Sequence, residues 1–92
     1  MAPEPDRLRE LWPALADGAR HCARGEWWHA HEAWEAVWKP CRTADRKAIQ
    51  ALIQFAGANW HLERGHPRLA ASLLARALGH LDAAPPAWRD AL

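Results

Sequence analysis

The stretch that decides the fold is Gly25-Glu26-Trp27-Trp28-His29-Ala30-His31-Glu32-Ala33-Trp34-Glu35-Ala36-Val37-Trp38. Within it Trp27, His31, Trp34 and Trp38 recur at i, i+4, i+7 and i+11. At about 100° per residue these four fall on one stripe of a helix. Gly25 precedes the pattern and Pro40 stops it, which predicts a helix from Glu26 to about Lys39. Trp34 and Trp38 are expected in the core. His31 and Glu35 share the tryptophan stripe, and Glu32 flanks it. A histidine and a carboxylate among core-facing indoles are costly unless hydrogen-bonded or bound to something.

Outward from this helix, Pro and Gly divide the rest of the chain. Pro3 and Pro5 predict an extended start with Asp6 as N-cap, followed by a helix from Arg7 to Arg24. Leu8, Leu11, Leu15, Ala19 and Cys22 mark its apolar side, with a kink or a fresh start at Pro13. After a short loop over residues 40–44, a third helix is predicted from Asp45 to Arg64, closed by Gly65. Ile49, Leu52, Ile53, Ala56 and Trp60 form one apolar side, and Ala48, Phe55 and Leu62 widen it. A helix this apolar is central or packs a second subunit. Pro67 opens a fourth helix to about His80, whose leucines Leu69, Leu73, Leu74, Leu78 and Leu81 are expected as core. Trp88 and Leu92 are expected in a final turn packed back on the body. Nothing alternates as a strand does. The expectation is an all-α single domain over residues 1–92, a compact array of about four helices with short loops.

Composition agrees. The 92 residues are 50% hydrophobic and include seven tryptophans, large side chains that suit a small core. Twelve basic and eleven acidic residues leave a net charge of +1, which argues against a nucleic-acid partner. No signal peptide and no apolar run long enough to span a membrane is present, so a cytoplasmic location is expected. Cys22 and Cys41 lie outside any zinc spacing and are expected as free thiols.

The third helix carries its own polar stripe, Gln50, Gln54, Gly57 and His61. If it faces the second helix, His31, Glu35, Gln54 and His61 converge. The chain here resembles the family called domain of unknown function 309. The resemblance is carried by Gly25-Glu26-Trp27-Trp28, Ala30-His31-Glu32-Ala33-Trp34-Glu35 and Trp38, then by Ala51-Leu52-Ile53-Gln54-Phe55-Ala56, Trp60-His61 and Gly65. It spans about residues 18–81. It implies a small helical prokaryotic protein whose motif includes the positions of His31, Glu32, Glu35 and Gln54, and it implies no activity.

Three readings of that cluster stay open: a structural network, a binding site, and a metal site. His31-Glu32-x-x-Glu35 lacks the second histidine of HExxH, and Glu26-x-x-His29 occurs once where di-iron bundles use two copies. Cys22 or Ser72 beside His21 or His80 has no motif that fixes a nucleophile. Lys39, Arg42, Arg46 and Lys47 beside a helix start offer an anion site or an ordinary solvated loop. The favoured function is a non-enzymatic binding module for a protein partner or small ligand, with His31, Glu32, Glu35 and Gln54 as ligand-binding residues and no cofactor. The alternative is a metal-dependent hydrolase with His31, Glu35 and His61 on a divalent metal and Glu32 as general base. A homodimer is expected, with Phe55 and Leu62 in its interface.

Overall fold

The computed structural model describes the backbone of residues 4–91 and the side chains of residues 10–88. Five helices follow in order: α1 Glu4–Ala23, α2 Trp27–Trp38, α3 Arg46–Glu63, α4 Pro67–Asp82 and the short α5 Pro86–Ala91. Among the described residues there is no strand, and no helix is long and apolar enough to cross a membrane. Each of the first four helices packs on its neighbour in the chain, α1 on α2, α2 on α3 and α3 on α4. The array is longer than it is wide, 44 × 24 × 22 Å.

The boundaries have local causes. Gly25 and Gly65 adopt φ of 72° and 78°, the left-handed conformation that ends α1 and α3 at little steric cost. Pro67 starts α4, where its missing N–H would be unpaired in any case. The start of α1 differs from expectation. The helix already runs at Glu4, so Pro5 and Asp6 lie inside its first turn rather than before it. Proline is tolerated there for the same reason as Pro67. Pro13 neither starts a new helix nor interrupts α1, which continues through it. Pro3 and Leu92 lie outside the described residues.

The core joins Leu15 of α1, Ala30 and Trp34 of α2, Ala48, Ile49 and Ala56 of α3, and Ala84 and Trp88 near the C-terminal end. Trp34 is its keystone: its indole Nε1 donates to the Leu15 carbonyl at 3.0 Å. Trp38 is only partly buried rather than in the core, and one face of its ring is covered by the Arg46 guanidinium at 3.8 Å. The leucines of α4 reverse expectation. Its buried residues are Ala70 and Ala77, while Leu69, Leu74 and Leu78 are exposed. α4 sits at one end of the array with α3 as its main support, so among the described residues one side of it is left uncovered.

Helix α1 approaches α2 at Gly18, where a Cβ would collide with the Trp34 indole. Glycine inside a helix normally costs about 1 kcal/mol against alanine. Here the sign should invert: Gly18→Ala is expected to lower the melting temperature, because the Trp34 ring must shift in a filled core. A melt by circular dichroism checks this, and a stabilised Gly18→Ala would show that the two helices are free to separate.

Candidate functional site

Helices α2 and α3 run side by side, and His31 occupies the middle of their seam. Its ring stacks on Trp28 with centroids 5.3 Å apart and planes 2° from parallel. Trp28 meets Trp60 of α3 at 5.8 Å, and Trp60 meets His61 edge-on at 5.0 Å. These rings, with Trp27, Ile53, Gln54, Gly57 and Leu73, line a cavity of ≈ 220 Å³. On the other side of His31 a second cavity of ≈ 180 Å³ is lined by Glu35, Trp38, Gln50, Ile53 and Gln54. The two share His31, Ile53 and Gln54, so they form adjoining halves of one crevice. The α3 stripe read from the sequence, Gln50, Gln54, Gly57 and His61, is its far wall.

The polar groups divide between anchored and unpartnered. Glu35 Oε2 lies 3.2 Å from His31 Nδ1, one turn along α2. The approach is off-axis, and His31 Nδ1 is buried with no hydrogen-bond partner in the protein. Lys39 Nζ stands 3.8 Å from the other oxygen of Glu35. Gln54 is held from the opposite direction: His80 of α4 donates from Nδ1 to its Oε1 at 2.7 Å. Trp38 Nε1 and His61 Nδ1 are also buried without a partner. All three unpartnered ring nitrogens belong to residues that line this crevice.

Of the residues singled out from the sequence, His31, Glu35 and Gln54 come together along the crevice, although Gln54 pairs with His80 rather than with either of them. Glu32 does not join them. It lies about 100° around α2 from His31, is exposed, and lines neither cavity. His61 sits at the Trp28 end and Glu35 at the Trp38 end. No group of three or more His, Cys, Asp or Glu among the described residues is placed to hold a metal ion. The hydrolase reading therefore has no ligand set and no adjacent base. The sequence reading missed Trp28 and Trp60 as cavity walls and His80 as the anchor of Gln54. His80 was detectable, since it follows Leu73 and Ala77 on the side of α4 that faces α3.

The other candidates disperse. Arg42 donates to the carbonyls of Lys39 and Cys41, Arg46 covers Trp38, and Lys39 turns to Glu35, so the basic loop converges on no common point. Cys22 and Cys41 are free thiols. Burial pushes the Cys22 thiol up from its ordinary pKa, which disfavours the thiolate a nucleophile needs. At the α1–α2 junction, a hydrogen bond with His21 at 3.0 Å holds the Glu26 carboxyl below its usual pKa, helped by the charges of His21, Arg24 and His29. That pair orders the turn and stands apart from the crevice.

No curated protein and no solved structure matches the chain. The domain of unknown function DUF309 matches residues 15–73, more than half of the chain and every residue lining the crevice. The chain belongs to the DUF309 family.

Proposed function

We propose that the protein is a small-ligand-binding module whose site is the α2–α3 crevice, and that it takes a flat molecule with an amide or heteroaromatic edge. One observation carries this reading: the buried ring nitrogens without a hydrogen-bond partner among the described residues, on His31, Trp38 and His61, all belong to the walls of one crevice. A structural network would satisfy its members, because an unpaired buried polar group costs about 1–3 kcal/mol. Groups left unpaired together fit a site that completes its hydrogen bonds with a ligand. A half-turn of the His31 ring would bring Nδ1 to the place of Cδ2, which lies 4.0 Å from where a Cβ on Gly57 of the opposite wall would stand. The indoles of Trp28 and Trp60 offer faces for stacking, and the Gln50 and Gln54 amides match an amide edge. The two halves, ≈ 220 and ≈ 180 Å³, together fall near the lower end of ordinary ligand sites, about 300–1,000 Å³, so the ligand is small.

The test uses benzamide as probe and the indole N–H signals of an isotope-labelled sample. Benzamide is expected to shift the signals of Trp28, Trp38 and Trp60. His31→Leu is expected to abolish those shifts while changing stability by less than about 1 kcal/mol, since Nδ1 makes no hydrogen bond and its partly exposed contact with Glu35 is weak. A structural role for His31 predicts the opposite pair of results, a clear loss of stability and no benzamide effect on the wild type.

A further inference from the structure

Helix α4 presents an outer face that the chain itself does not explain. Leu78 is 65% and Leu74 40% exposed. Both edge an apolar groove between α3 and α4, floored by Ala48, Ala51 and Ala77 and bounded on the far side by Leu52 and Phe55. Beside the groove Ala71, Ala75 and Gly79 follow at i, i+4 and i+8, a line of small residues along the outside of α4. A Cβ added at Gly79 would meet nothing within 4 Å. Glycine there weakens the helix relative to alanine, and no close approach within the chain requires it.

The charges on this face supply the second observation. Arg68 and Asp82 each stand seven residues from Ala75, on opposite sides of it. Seven residues fall about 20° short of two full turns, so all three lie on nearly one line. Neither Arg68 nor Asp82 enters an ion pair among the described residues. One helix face thus carries a cation at one end, an anion at the other and small residues between them, with exposed leucines alongside.

We infer that this face is where a second copy of the chain docks, the two α4 helices packing antiparallel about a twofold axis at Ala75. In that arrangement Arg68 meets the partner's Asp82 at both ends, and Ala71 meets the partner's Gly79. Small side chains at the crossing let the backbones approach closely, and Leu78, about 60° round the helix from Ala75, loses its contact with water. Parallel packing would set Arg68 against Arg68 and is disfavoured. A single pair of four-turn helices makes a small interface, of the weak and transient class, so association is looked for in the micromolar range.

Sedimentation velocity on the full chain across the micromolar range tests this. The wild type is expected to pass from monomer to dimer as concentration rises. Ala75→Arg is expected to stay monomeric with an unchanged helical spectrum, since arginine is a good helix former. Asp82→Arg alone sets like charges together at two symmetric places and should raise Kd about tenfold or more. Combining it with Arg68→Asp should return Kd to near the wild-type value. These two positions are on the surface, so the charge reversal decides the matter even if Ala75→Arg fails to fold. A wild type that is monomeric at every concentration overturns the inference. So does a dimer that folded Ala75→Arg leaves intact, or a double reversal that binds no better than Asp82→Arg alone.

Discussion

Trp34→Ala is expected to destabilise the protein by about 3–5 kcal/mol, the range for deleting a buried aromatic side chain. Trp34 is 3% exposed, and its ring fills the space between α1 and α2. The helices cannot collapse into the vacated volume cheaply, because α2 is also held against α3 through Trp27, whose indole donates to Glu63 and packs edge-on against Phe55. The variant loses the indole bond to the Leu15 carbonyl as well. For a domain whose whole stability is of order 5–15 kcal/mol, this is enough to leave a large unfolded fraction under mild conditions. Urea titration followed by circular dichroism measures the loss. Trp34→Phe separates the two contributions, since it keeps most of the ring and removes the N–H, and it should cost less than half as much. If Trp34→Ala melted like the wild type, the α1–α2 interface would not be part of the cooperative fold.

Helix positions were legible in the sequence because the chain marks its own breaks. Gly25, Pro40, Gly65 and Pro67 end or start helices within about one residue of where the structure places the boundaries. The tryptophan stripe of α2 and the polar stripe of α3 were legible for the same reason, a sustained 3.6-residue period. What the period cannot give is the neighbour each part of a stripe meets. Trp34 turns to α1, while His31 and Glu35, farther round the same stripe, turn to α3. Gln54 bonds across to α4 because His80 arrives from a helix whose tilt no local pattern encodes. The leucines of α4 show the same limit from the apolar side. Periodicity identified an apolar face correctly, and only the position of α4 at the end of the array leaves that face exposed. Gly18 looked like an ordinary helix-interior residue until the Trp34 ring was found against it. Asp45 read as the start of a helix and proved to be a buried hub.

That hub carries the second large expected effect. Asp45 is 1% exposed at the head of α3. Its Oδ1 accepts the Trp88 indole N–H at 2.9 Å and its Oδ2 accepts the Thr43 hydroxyl at 2.9 Å. Trp88 is likewise 1% exposed, so α5 is fastened back onto the start of α3 by one buried indole and one buried carboxylate. Trp88→Ala is expected to cost about 3–5 kcal/mol, and it also strips a donor from a buried charge, which adds to the penalty. Asp45→Asn tests the bond pattern without changing shape. The amide keeps one oxygen for the Trp88 N–H and turns its NH2 to the Thr43 hydroxyl, which can accept as well as donate, so the variant loses the charge that strengthens both bonds, and a cost of about 1–3 kcal/mol follows. If the hub acts as a unit, Asp45→Asn combined with Trp88→Phe should cost less than the sum of the two singles, because the first weakens the indole–carboxylate bond that the second removes. Strict additivity in that cycle, measured by urea denaturation, would show that α5 is held by the bulk of the Trp88 ring alone.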